Sequence, residues 1–116
     1  MQTVVETPAF LSDARSLGLP EGERLAIVTC VAANPMAGDV IEGTGGARKV
    51  RFGGKGKGKS GGYRVITFFT GVDTPVFLLN IFAKNEKTDL TPQERRVLKT
   101  VLTRIAKTYR SAGESK

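Results

Sequence analysis

One run constrains the fold of this chain more than any other. VFLLNIFA, residues 76–83, is nearly continuous in apolar residues. So short and so apolar a stretch reads as a central strand, because only a strand inside a sheet covered on both faces keeps both of its rows of side chains out of water. Two more runs complete an antiparallel meander with it. ARKVRF, residues 47–52, alternates as a strand does, and YRVITFFT, residues 63–70, has the aromatic and β-branched content of one. The turn GVDTP joins the second run to the third.

The first third of the chain reads differently. QTVVE, residues 2–6, suits a short strand, and Thr7-Pro8 then offers a helix start with proline in the first turn. Phe10, Leu11, Ala14 and Leu17 follow helical spacing until Gly18 stops it. Pro20-Glu21 opens a second helix with Leu25, Ile27, Val28, Val31 and Ala32 as a broad apolar face, and Asn34-Pro35 ends it. AGDVIEGTGG, residues 37–46, reads as a loop. At the other end Thr91 is the expected N-cap of a last helix, with Pro92 in its first turn and Glu94 three residues beyond the cap. Val97, Leu98, Val101, Leu102 and Ile105 form its apolar face, and the tail SAGESK is expected to fray.

These elements predict one α+β domain over residues 1–116. It has a strand and helical hairpin in 1–35, an antiparallel meander in 46–83 and a C-terminal helix in 91–110, with the N-terminal helices on one face of a twisted antiparallel sheet. At 116 residues and 40% apolar composition, the chain can fold around one core without metal or disulfide. No run approaches the ~20 apolar residues of a spanning helix, and the N-terminus lacks the basic-then-apolar pattern of a signal peptide, so a soluble cytoplasmic protein with no membrane role is expected. Cys30, the only cysteine, lies in LAIVTCVAA and is expected to be buried as a small hydrophobe. Histidine is absent, which removes Ser-His-Asp and Cys-His triads and the common zinc sets. No metal or cofactor is expected.

Charge divides the chain in two. Residues 1–46 carry two basic and six acidic side chains, net −4, whereas residues 47–116 carry sixteen basic and five acidic, net +11. The second part is built to face a polyanion. Seven cations, Arg48, Lys49, Arg51, Lys55, Lys57, Lys59 and Arg64, fall in one stretch that holds no acidic residue. In GGKGKGKSGG the glycines let backbone approach a ligand, and the alternating Lys55, Lys57 and Lys59 project to one side if extended. Residues 53–60 also match GxxxxGK[ST] literally, but two glycines and a strand follow where a phosphate-binding helix would have to begin. Nucleotide hydrolysis is set aside on that context. Arg95, Arg96, Lys99, Arg104 and Lys107 form a cationic stripe on the last helix, for which solvated surface is the ordinary fate.

The order GTGG-ARK, then KGKGKSGGYR, then KNEKTDL and a closing helix resembles the RelE/HigB superfamily of bacterial type II toxins, most closely the HigB branch, over residues 36–103. The resemblance implies a ribosome-dependent mRNA endonuclease that cuts the codon exposed in the A site. It implies as partners the ribosome, mRNA and a cognate antitoxin, a HigA-like helix-turn-helix protein. Carried over by position, the catalytic residues are Lys55, Lys57, Arg64 and Lys84. Contacts to RNA or the ribosome fall to Arg48, Lys49, Arg51, Lys59, Tyr63, Lys87, Arg95, Arg96 and Lys99. Where better-studied RelE members carry an arginine after the strand-end lysine, this chain has Asn85. Where they carry a tyrosine near the last helix, it has Leu90-Thr91-Pro92. Phe82, Asn85 and Glu86 are accessory candidates for the roles so left open.

The chemistry is consistent with that set. Cutting RNA without metal requires deprotonating a 2′-hydroxyl, stabilising charge on the phosphorane-like transition state and protonating the leaving 5′ oxygen. A lysine among other cations has its pKa pushed down, so Lys55 or Lys57 suits the base, while the fork of Arg64 suits the scissile phosphate. Lys84 suits a second phosphate clamp or the acid. Two other classes are weighed against this one: a noncatalytic binder of RNA or DNA, and a ParE-type topoisomerase inhibitor. Clustering of Lys55, Lys57, Arg64 and Lys84 toward one site, as the meander implies, stands against the noncatalytic binder, and the Lys/Arg set itself stands against the topoisomerase inhibitor.

Overall fold

The structure, a computed structural model, describes residues 2–53, 62–71, 73–84 and 89–114, with side chains as far as residue 109. Among the described residues, five strands and three helices follow the order β1 (Val4–Glu6), α1 (Pro8–Ser16), α2 (Glu21–Ala33), β2 (Asp39–Val40), β3 (Arg48–Phe52), β4 (Tyr63–Phe68), β5 (Val76–Ala83) and α3 (Pro92–Glu114). The expected meander is present as β3-β4-β5, each pair antiparallel. β5 is an interior strand, between β1 and β4, and buries six of its eight residues; β4 is the middle of the five.

Two features depart from the expected sheet. β1 pairs with β5 in parallel, Val4 opposite Val76 and Glu6 opposite Leu78, so the sheet is mixed rather than antiparallel, in the order β1-β5-β4-β3-β2. Parallel neighbours need a long crossover, and everything between β1 and β5 supplies it. The second departure is β2, which lies inside the expected loop and pairs Asp39 with Lys49 and Val40 with Arg48. Gly38 makes that pairing possible. It sits at φ +91°, and a Cβ there would stand 2.4 Å from the Lys49 carbonyl oxygen. The turn after β2 is held by Thr44, fully buried, whose hydroxyl donates to the Ile41 carbonyl (2.7 Å) and accepts from the Ala47 N–H (3.0 Å).

Helices cover both faces of the sheet. On one, Phe10, Ala14, Ile27 and Val31 of α1 and α2 pack on Val65, Val76, Leu78 and Ile81. On the other, Leu98 and Leu102 of α3, with Leu90 before it, pack on Ile66, Phe68, Phe77, Leu79 and Phe82. α1 is capped by Thr7, whose hydroxyl accepts from the Phe10 N–H (3.2 Å), and Pro8 is its first residue. α3 begins with the expected reciprocal box: the Thr91 N–H donates to the Glu94 carboxylate (2.8 Å) and the Glu94 N–H to the Thr91 hydroxyl (3.1 Å).

Three expectations about the helices are corrected. Cys30 is exposed, because α2 turns Ile27, Val31 and Ala32 to the sheet, which places Cys30 and Leu25 on its outer side. On α3 the face read as apolar is narrower than expected: Leu98 and Leu102 are buried, but Val97 and Val101 are exposed, since the helix meets the sheet along one narrow stripe. α3 also continues to Glu114, past the expected end near residue 110 and into the tail expected to fray.

Candidate nucleic-acid interface

The hairpin β3-β4 sets the geometry of the cationic surface. Arg51 stands directly opposite Arg64, and Arg64 directly opposite Phe82 of β5. Side chains directly opposite share a face, and residues two apart on a strand do so too. Lys49, Arg51, Arg64 and Phe82 therefore lie on the face that α3 packs against.

Lys84, just past the end of β5, joins them. Its N–H donates to the Gly62 carbonyl (2.9 Å), which continues the β4-β5 ladder by one rung. A Cβ on Gly62 would stand 4.0 Å from Arg64 Nη1, 4.0 Å from Lys84 Cδ and 3.1 Å from the Phe52 carbonyl oxygen. The two cationic side chains thus flank one glycine that has no side chain to separate them.

Arg64 is the unusual member. It is only 8% exposed, and among the described residues no carboxylate pairs with it. Burying a cation costs several kcal/mol when nothing compensates it, and like charges directly opposite across a ladder add a further penalty. An anion placed between Arg51 and Arg64 relieves both terms. Phe82, 7% exposed, belongs to the core and stands directly opposite Arg64 on β5.

The neighbouring cations are differently disposed. Lys49 Nζ lies 3.6 Å from Asp89 Oδ1, and Arg95 Nη2 donates to Asp89 Oδ2 (3.0 Å). Arg95 Nη1 also reaches the Glu42 carbonyl (3.5 Å), while its Nε is buried and finds no hydrogen-bond partner among the described residues. The Leu90 N–H donates to Asp89 (2.8 Å), and together with burial-opposing attraction from Lys49 and Arg95 it holds the Asp89 carboxyl below its ordinary value. Arg96 and Lys99 are exposed on α3. Arg48 and Tyr63 are half-buried and belong to the opposite face: Arg48 donates to the Gly38 carbonyl (3.1 Å), and Tyr63 packs against the core under α1 and α2.

The structure thus brings Arg51, Arg64, Lys84 and Phe82 together, with Lys49 and Arg95 beside them under the hold of Asp89. Lys55, Lys57, Lys59, Asn85, Glu86 and Lys87 lie outside the described residues. The hairpin connection carrying the first three leaves β3 after Phe52 and enters β4 at Tyr63, at the Arg51/Arg64 end. Asp89, which pairs with both Lys49 and Arg95, is not among the site residues expected from the sequence. Its distance of forty positions from Lys49 leaves no local signal.

A separate groove of about 650 Å³ runs between α1, the edge of β5 and the start of α3. Asp13 and Glu94 line it and no lysine or arginine does, so it is unsuited to phosphate. Among the described residues no cluster of three metal-ligating side chains occurs, and no helix is long and apolar enough to cross a membrane.

Residues 10–115 match the family model described as RelE toxin of the RelE / RelB toxin-antitoxin system.

Proposed function

The chain belongs to the RelE family of toxins from toxin-antitoxin systems, and on that premise we propose that it is a ribosome-dependent mRNA endonuclease of the HigB type. The observation that carries this reading is Arg64: a buried cation facing a second arginine, beside Lys84, with no carboxylate among the described residues to neutralise it. Such an arrangement is suited to a scissile phosphate, whose charge grows in the transition state.

In this mechanism Lys55 or Lys57 takes the proton of the 2′-hydroxyl. The oxygen attacks the adjacent phosphorus, and the 5′ oxygen leaves with a proton from Lys84 or a neighbouring lysine. Arg64 holds the non-bridging oxygens through its planar fork. Being fixed by the sheet before the substrate arrives, it needs no reorganisation as charge develops, and donors of this kind contribute about 3 kcal/mol, or ~10²-fold in rate. Arg51, Arg96 and Lys99 hold flanking phosphates. A cognate antitoxin, HigA-like in this reading, keeps the toxin silent.

The test is primer extension on a defined mRNA in a purified translation system, with stalled ribosomes present or absent. Cleavage at the A-site codon only with ribosomes supports the reading. Absence of cleavage in both cases by folded protein sinks it and moves the assignment to a noncatalytic binder or a topoisomerase inhibitor.

A further inference from the structure

Two cations of the basic surface, Lys49 on β3 and Arg95 on α3, converge on one carboxylate. Asp89 accepts from Arg95 at 3.0 Å and lies 3.6 Å from the Lys49 ammonium, yet it is itself half-exposed. Lys49 and Arg95 keep only about a quarter to a third of their side-chain surface, so their charged ends are directed to this point rather than spread in solvent. The guanidinium is not fully satisfied there, because Arg95 Nε is buried without a hydrogen-bond partner among the described residues. Lys49 lies two residues before Arg51 on the same face of β3, which makes the spot continuous with the Arg51/Arg64 surface.

An exposed carboxylate held by a lysine and an arginine is a weak ion pair, open to exchange with a more highly charged anion. A phosphate group offers non-bridging oxygens to both cations, and an arginine fork takes two of them at once. We infer that Asp89 is an internal counter-anion seated in a phosphate site made by Lys49 and Arg95, and that an RNA backbone phosphate displaces it. Until displacement, these two cations are withheld from RNA. The inference deepens the proposed function and rests on it only for the identity of the phosphate.

The test uses the full chain, with inorganic polyphosphate and a single-stranded RNA dodecamer as probes. Asp89→Asn keeps an acceptor for the Leu90 N–H and removes the charge; it should bind both probes several-fold more tightly. Adding Lys49→Gln and Arg95→Gln should erase that gain, and Asp89→Glu should behave as wild type. An Asp89→Asn variant that folds and binds no more tightly overturns the inference. So does a gain that survives loss of Lys49 and Arg95, since it would then reflect net charge alone.

The Arg95 Nε–Hε resonance of the unsubstituted protein reports the same exchange without any variant. It should shift saturably with polyphosphate, and a resonance that does not move overturns the inference. Tightened binding by Asp89→Asn in a protein that cuts no mRNA on ribosomes would retire the nuclease reading and leave the counter-anion in place. Cleavage on ribosomes with no tightening would do the reverse.

Discussion

The end of the β3-β4 hairpin and the start of α3 hold similar charges and treat them in opposite ways. At the hairpin end Arg51 and Arg64 face one another with Lys84 alongside and no carboxylate among the described residues. At the start of α3, Lys49 and Arg95 are both tied to Asp89. Sequence counts the two groups alike, as density of positive charge. What separates them is whether the fold delivers a counter-charge: the unneutralised group demands an anion outright, whereas a phosphate reaching Lys49 and Arg95 must first displace Asp89.

The largest expected effect lies at the hairpin end. Arg64→Ala should lower the rate of mRNA cleavage ~10²-fold, as expected for loss of a preorganised donor. Primer-extension kinetics measure it, and circular dichroism checks that the sheet persists. Lys49→Gln in the same assay should cost far less, because its charge is already spent on Asp89. Equal losses in the two variants would erase the contrast between the regions.

A second experiment loosens the strand from which Lys49 projects. Gly38→Ala places a methyl group against the Lys49 carbonyl at a φ of +91°, and roughly 2 kcal/mol of stability should be lost to left-handed strain and that clash. Urea unfolding measures it; an unchanged midpoint would show that β2 contributes nothing to holding β3.

A smaller effect should appear with pH. The Asp89 carboxyl is held below its ordinary value, so the folded state binds its proton more weakly than the unfolded chain does. The stability this contributes is fully present above the unfolded value near ~3.9 and is lost as pH falls through the lower folded value. Thermal unfolding of wild type against Asp89→Asn should therefore show a wild-type advantage near neutrality that shrinks below about pH 4. A gap that stays constant through that range would remove the ion pair from the account.

The smallest effect belongs to neither region. Cys30 is exposed on the outer side of α2, and Cys30→Ala should change stability by no more than about 0.5 kcal/mol and leave cleavage intact. A larger loss of stability would mean that α2 sits deeper than the structure places it.

Much of the fold was legible because its signals are local. The Thr91/Glu94 box, the Thr7-Pro8 start and the stop at Gly18 each need only neighbouring residues, and the three strands of the meander each carry their own pattern. The parallel β1-β5 pairing was not legible, since a three-residue strand has no pattern that names a partner seventy positions away. β2, at two residues, is too short to have a pattern at all. Cys30 was misplaced because α2 is apolar nearly all round, and such a helix does not declare which side meets the sheet.

The candidate site divides along the same line. Sequence by itself determined the types of the longer elements, the interior place of β5, the concentration of positive charge after residue 46 and the family, because composition, periodicity and motif order are properties of a linear string. Only the tertiary structure decided that Arg64 is buried opposite Arg51 and beside Lys84, that Tyr63 and Arg48 belong to the other face, and that Asp89 neutralises Lys49 and Arg95. The physical reason is that burial and ion pairing depend on distances between residues far apart in the chain. Those distances are fixed by strand register and helix docking, which the core sets collectively.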